Sequence, residues 1–97
     1  MIFVIDNLKY DTNKMTLITT KCKYWYTCHS IFDDEECYNE CKDVKLWKSI
    51  HGRWLITYTK GYSTIHAEAL TKEKASDLLK KYDINKYEEI FGELEEA

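Results

Sequence analysis

"VKLWKSIHGRWLITYTKGYSTIHAEAL", residues 44–70, decides the fold. Val44, Leu46, Lys48 and Ile50 alternate with Lys45, Trp47 and Ser49, the period of two that sends successive side chains to opposite faces of a strand. His51-Gly52 then offers a two-residue reversal, because glycine accepts the positive φ such turns need. "RWLITYT" returns with Trp54, Ile56 and Tyr58 on one face, and Lys60-Gly61-Tyr62 turns the chain again. "STIHAEAL" sets Ile65, Ala67 and Ala69 on one side and Thr64, His66 and Glu68 on the other. The pattern predicts a three-stranded antiparallel meander.

Beyond it the period changes. Thr71 caps "KEKASDLLKKY", whose Ala75, Leu78, Leu79 and Tyr82 form a helical stripe at i, i+3, i+4 and i+7. Asn85 with Glu88 makes a second capping box, followed by Tyr87, Ile90, Phe91 and Leu94 at the same spacing. Glu93, Glu95 and Glu96 crowd the negative end of that helix, so its last turn should fray.

Before the meander, "MIFVI" reads as a strand ended by Asp6-Asn7, and "LKY" runs into the turn "DTNK". "MTLITT" is a strand with Met15, Leu17 and Thr19 on one side, continuing or bending into residues 21–30. "FDDEECYNECKDV" reads as a short helix, with Asp33 as N-cap, Glu36 completing a capping box, and Cys37, Cys41 and Val44 on one face. The fold expected is α+β: one domain over 1–97, an antiparallel sheet with a short helix insert, and C-terminal helices packed on one face.

At 97 residues the chain can hide roughly 65% of its unfolded surface, and 44% apolar with 14% aromatic residues argues against disorder. Asp6 interrupts the opening apolar run and no basic segment precedes it, so neither a signal peptide nor a membrane span is expected, and the reading is cytoplasmic. The net charge of −3 is uneven: residues 67–97 hold five Lys and nine Asp/Glu, while residues 1–66 hold nine Lys/Arg against eight Asp/Glu.

All four cysteines lie between Cys22 and Cys41. Structural zinc favours two short-spaced pairs of Cys or His. On a strand, Cys22 and Cys28 would stand ~20 Å apart, whereas two thiolates on one zinc lie at most ~4.6 Å apart. Cys37 and Cys41, with His29, leave the set incomplete. Disulfides do not suit a chain without an export signal. His29, next to Cys28, points to the other face of a strand and cannot serve as its base. Core packing is the favoured reading, with "CKYWYTC" as a thiol-rich core strand, and no metal or cofactor is assigned.

His51 reads as a turn residue and His66 as a strand residue. No phosphate loop, HExxH or nucleophile elbow is present, and no catalytic residue is assigned. Two surfaces compete for a binding role. Glu88, Glu89, Glu93, Glu95 and Glu96 place five acids within nine residues, which suits a basic protein partner or a merely solvated end. Lys21, Lys23 and Trp25, with Lys45 and Trp47, would interleave bases and aromatics as single-stranded nucleic acid requires. Against the second stand a pI near 5.6 and the prospect that the tryptophans are buried.

Three segments, "KYDTNKMTLI", "KLWKSIHGRWLI" and "EALTKEKASDLL", together resemble a family of small uncharacterised proteins of low-GC bacteria and their phages. The matching positions are Tyr10-Asp11-Thr12, then Leu46, Trp47, Ser49, Gly52 and Trp54, then Leu70, Thr71, Glu73 and Ala75. The cysteine-rich insert and Met15 depart from the family's pattern. The resemblance implies a sheet-plus-helix fold, a mobile-element origin and no catalytic residues. Small phage proteins of this kind commonly act by binding, with host defence machinery such as CRISPR effectors among their targets. The expectation is therefore a non-enzymatic, anti-CRISPR-like inhibitor of a host protein or protein–RNA complex. The alternative is a small single-stranded nucleic-acid-binding domain, with or without structural zinc.

Overall fold

The computed structural model describes residues 1–29, 36–60 and 64–97, and of residues 26–29 and 36–39 the backbone alone. The strands are β1 (Ile2–Ile5), β2 (Leu8–Asp11), β3 (Thr16–Thr19), β4 (Trp25–His29), β5 (Glu36–Glu40), β6 (Lys42–Lys48), β7 (Trp54–Lys60) and β8 (Thr64–Leu70). The helices are α1 (Lys72–Tyr82) and α2 (Ile84–Phe91), and a 3-10 turn spans Thr12–Lys14. The fold is α+β: a four-stranded antiparallel sheet in the order β3-β6-β7-β8, two further hairpins, β1-β2 and β4-β5, and two C-terminal helices.

The meander forms as its alternation requires, with Trp47 opposite Leu55 and Leu55 opposite Ala69. Its first turn is one residue longer than expected. Ser49 N donates to the Arg53 carbonyl at 2.8 Å and Gly52 N to the Ser49 carbonyl at 3.0 Å, so Ile50, His51 and Gly52 form the loop. Gly52 has φ +79°, the left-handed position that closes a three-residue hairpin. Ile50 therefore leaves the strand and stands 85% exposed. At the other end of β6 the register slips between Lys42 and Lys45, with Asp43 at φ +50°, a bulge that sets the alternation of everything after it.

One sheet face carries Val44, Leu46, Trp54, Ile56 and Tyr58, which form the main core with Ala75 and Leu79 of α1. Tyr87, Ile90 and Phe91 of α2 pack against the same core, and the Phe91 ring stacks on Trp54 at 5.9 Å. Both helices thus cover one face, as their stripes demand. The opposite face bears fully buried Leu55, and the β1-β2 hairpin lies over it: Met1 and Phe3 share a cleft with Trp47, Thr57 and Thr59. That hairpin turns through Asp6 and Asn7, at φ +51° and +62°, the left-handed pair of a two-residue hairpin that Asp and Asn tolerate.

Four local expectations need correction. The short helix insert is not formed where it is described: Glu36–Glu40 is β5, paired antiparallel with β4 so that Cys37 lies opposite Cys28. The capping-box pattern is outweighed by tertiary pairing, which a strand-compatible stretch such as "ECYNE" also permits. The expected N-cap, Asp33, lies outside the described residues. In β3, a register irregularity between Leu17 and Thr19 puts those two on opposite faces, Leu17 opposite Trp47 and Thr19 opposite Leu46. Residues 21–24 are not a strand; the extended run starts at Trp25. Finally, α2 is opened by Asp83 rather than Asn85 and closed at Gly92, φ +98°, which leaves Leu94 beyond the helix and exposed.

Asp83 is the joint of the helical layer. Its amide donates to the Leu79 carbonyl at 2.8 Å, ending α1, while its carboxylate accepts the Lys86 amide at 3.3 Å, starting α2. The other carboxylate oxygen accepts the Thr19 hydroxyl at 2.7 Å, and Thr19 in turn accepts the Lys21 amide at 3.1 Å. One buried acid therefore ties both helices to edge strand β3. Burial alone would raise its pKa. The Thr19 and Lys86 hydrogen bonds and the charges of Lys21 and Lys86 outweigh that, and hold it below the usual carboxylate range. Among the described residues, no helix is long and apolar enough to cross a membrane.

Candidate functional site

The acidic end is built by where α2 stops. Gly92 adopts a conformation that L side chains rarely take, and its amide closes on the Glu88 carbonyl at 3.0 Å. Glu93, Glu95 and Glu96 consequently lie past the helix, all exposed. Glu88 is half-buried on α2, and Glu89 pairs with Lys86 at 3.2 Å. The five acids thus divide into two that belong to the helix and three that extend beyond it.

The basic-aromatic surface does not assemble as one face. Lys45 and Trp47 point away from the helices, and Trp47 is half-buried there with its indole N–H donating to the Thr57 hydroxyl at 2.9 Å. Lys21 lies instead by Asp83, in a groove with Asn85, Lys86 and Glu89 on the helical side. Lys23 and Trp25 are exposed at the entry to β4. Of the two tryptophans, Trp25, at 44% exposure, has the more open ring.

The thiols divide similarly. Cys22 and Cys41 are buried in the main core, and burial pushes Cys22 up to about 11, with the Asp83 charge adding to it; Cys41 is raised too, chiefly by burial. Neither is a reactive thiolate near neutral pH. The side chains of Cys28, Cys37 and His29 lie outside the described residues, and among those described no three His, Cys, Asp or Glu gather as a metal would need.

Sequence reasoning missed a polar cluster next to Cys41. Tyr24 and Tyr58 approach ring to ring at 4.9 Å, and both hydroxyls donate to the Glu68 carboxylate, Tyr58 at 3.0 Å. His66 stacks on Tyr58 at 5.7 Å. Burial first, then hydrogen bonding to Glu68, lifts Tyr58 to about 12 and Tyr24 further still. The two hydrogen bonds to Glu68 fasten the 21–24 segment to the sheet. The alternation placing Tyr58 and Glu68 on one face was visible in the sequence; the approach of Tyr24 was not.

No protein-family model, curated protein or solved structure matches the chain. Of the positions on which the expected family resemblance rests, Asp11 accepts the Asn13 amide at 3.1 Å, Gly52 closes the hairpin and Thr71 accepts the Lys74 amide at 3.2 Å, while Tyr10, Leu46, Trp54 and Ala75 are buried.

Proposed function

We propose that the chain is a non-enzymatic protein-binding module, an inhibitor of a host defence complex, which presents its acidic C-terminal end to a basic surface of the partner. The observation that carries this reading is the exit of the chain from α2 at Gly92. Beyond it, Glu93, Glu95 and Glu96 stand exposed and neither cap nor pair within the described residues. Charges so placed act on their surroundings, and over ~8 Å at physiological ionic strength they reach a partner's lysines and arginines. A surface that binds nucleic acid is the natural target, since it already concentrates positive charge. The rival reading, a single-stranded nucleic-acid-binding domain, is weakened by the separation of Lys21 from Lys45 and Trp47 and by the indole's engagement with Thr57.

The test is capture of a partner from lysate of a low-GC bacterial host. The wild-type chain should retain a nucleic-acid-handling protein that the Glu93→Lys, Glu95→Lys, Glu96→Lys chain does not. Equal retention by both would reject the acidic end as the interface.

A further inference from the structure

A second cleft, of about 240 Å³, lies where β2 and the 3-10 turn meet the β6-β7 loop. Its apolar lining includes Leu8, Met15 and Ile50. Around it stand Lys9, Lys14 and Arg53, all exposed and without an acidic partner among the described residues. Asp11 is the one acid in the lining; one of its carboxylate oxygens accepts the Asn13 amide, and its single charge leaves the three cations in excess. In a chain of net charge −3, this gathers three unpaired cations over an aliphatic floor.

We infer that this cleft docks an acidic, apolar-punctuated peptide segment of a partner protein: an aliphatic side chain in the floor, flanking carboxylates on Lys9, Lys14 and Arg53. The volume is below the roughly 300–1,000 Å³ of drug-sized ligand pockets and suits one or two side chains. Nucleic acid fits less well, because the tyrosine in the lining, Tyr10, is only 5% exposed and offers no open face for a base to stack on. Residues 88–97 of a second copy share that chemistry, but two chains of net charge −3 repel one another, so the occupant proposed is a separate partner. The inference is independent of the acidic end, since cleft and tail are different surfaces of opposite charge.

The probe is a fluorescent peptide with the sequence DEDLDEIDED, an acidic run punctuated by Leu and Ile that does not occur in this chain, titrated with the full chain beside hexa-glutamate and a ten-nucleotide oligo-dT. The peptide should bind, weaken as salt rises, and lose about tenfold or more in affinity to the Lys14→Glu, Arg53→Glu chain. Both substitutions are exposed, and an unchanged thermal melt verifies that this chain is folded. Hexa-glutamate should bind at least about tenfold more weakly, for want of an anchor. Equal binding of peptide and hexa-glutamate, preference for oligo-dT, indifference to the charge reversals, or no binding by any probe would each overturn the proposal. Self-association of the wild-type chain that deletion of residues 93–97 abolishes would assign the cleft to a second copy, and overturn it likewise.

Discussion

Replacing Asp83 by alanine removes three things together: the cap of α2, the carboxylate that receives the Thr19 hydroxyl at 2.7 Å, and the link from the helices to β3. Loss of an N-cap costs about 0.5–2 kcal/mol. Loss of a hydrogen bond to a charged group costs about 1.5–3 kcal/mol. Asp83 is 7% exposed, so water replaces little of either, and the two effects overlap enough to give about 2–4 kcal/mol together. For a chain of this size each kcal/mol moves the melting temperature by ~4–8 °C, so calorimetry should record a fall of ~10–25 °C. Asp83→Asn retains a capping oxygen and should lose less. Thr19→Val should couple to Asp83→Ala in a double-mutant cycle, because each removes the same bond. The pH dependence has a definite sign. A carboxyl with a depressed folded pKa stabilises fully above the unfolded value near ~3.9 and loses that contribution as pH falls through the folded value. The wild type should therefore lose stability below about pH 4 more steeply than Asp83→Asn. A cost for Asp83→Ala within about 0.5 kcal/mol would refute the joint.

Other parts of the structure are open to equally direct measurement. Gly52→Val should cost more than ~1 kcal/mol by chemical denaturation; a Cβ there meets nothing within 4 Å, so the loss would come from the φ of +79° alone. Leu79→Ala and Trp54→Ala, at 0% and 3% exposure, should each cost ~2–5 kcal/mol, and half-buried Leu78→Ala less; the reverse order would mean that α1 presents a different face. Cys22 and Cys41 should react with a thiol reagent at pH 8 only on unfolding, as mass-mapped labelling in native buffer and in denaturant would report.

The parts of the fold that could be read from the sequence are those where local pattern and tertiary demand coincide. Residues 44–70 alternate, are punctuated by Gly52 and Gly61, and lead into Thr71 and a clean helical stripe; β6, β7, β8 and α1 follow with little competition. "DDEECYNEC" carries two messages, a helix start and a period compatible with a strand, and pairing with β4 favours the second at Glu36–Glu40. Asn85 suggests itself as the cap because Glu88 completes a capping box with it, while the partner that selects Asp83, Thr19, lies 64 residues earlier. The acidic end is local in sequence and was legible as a charge run. The cationic cleft was not, since Lys9, Lys14 and Arg53 meet only once the first hairpin is laid against the β6-β7 loop.

The proposed role of the exposed acids beyond Gly92 is to hold a basic partner. Its most direct test is the affinity of the captured partner for the wild-type chain and for the chain with Glu93, Glu95 and Glu96 reversed to lysine, each measured across a salt series. Wild-type binding should weaken steadily with salt, and reversal should cost about tenfold or more at low salt. Affinities that coincide for the two chains at every salt concentration would contradict it.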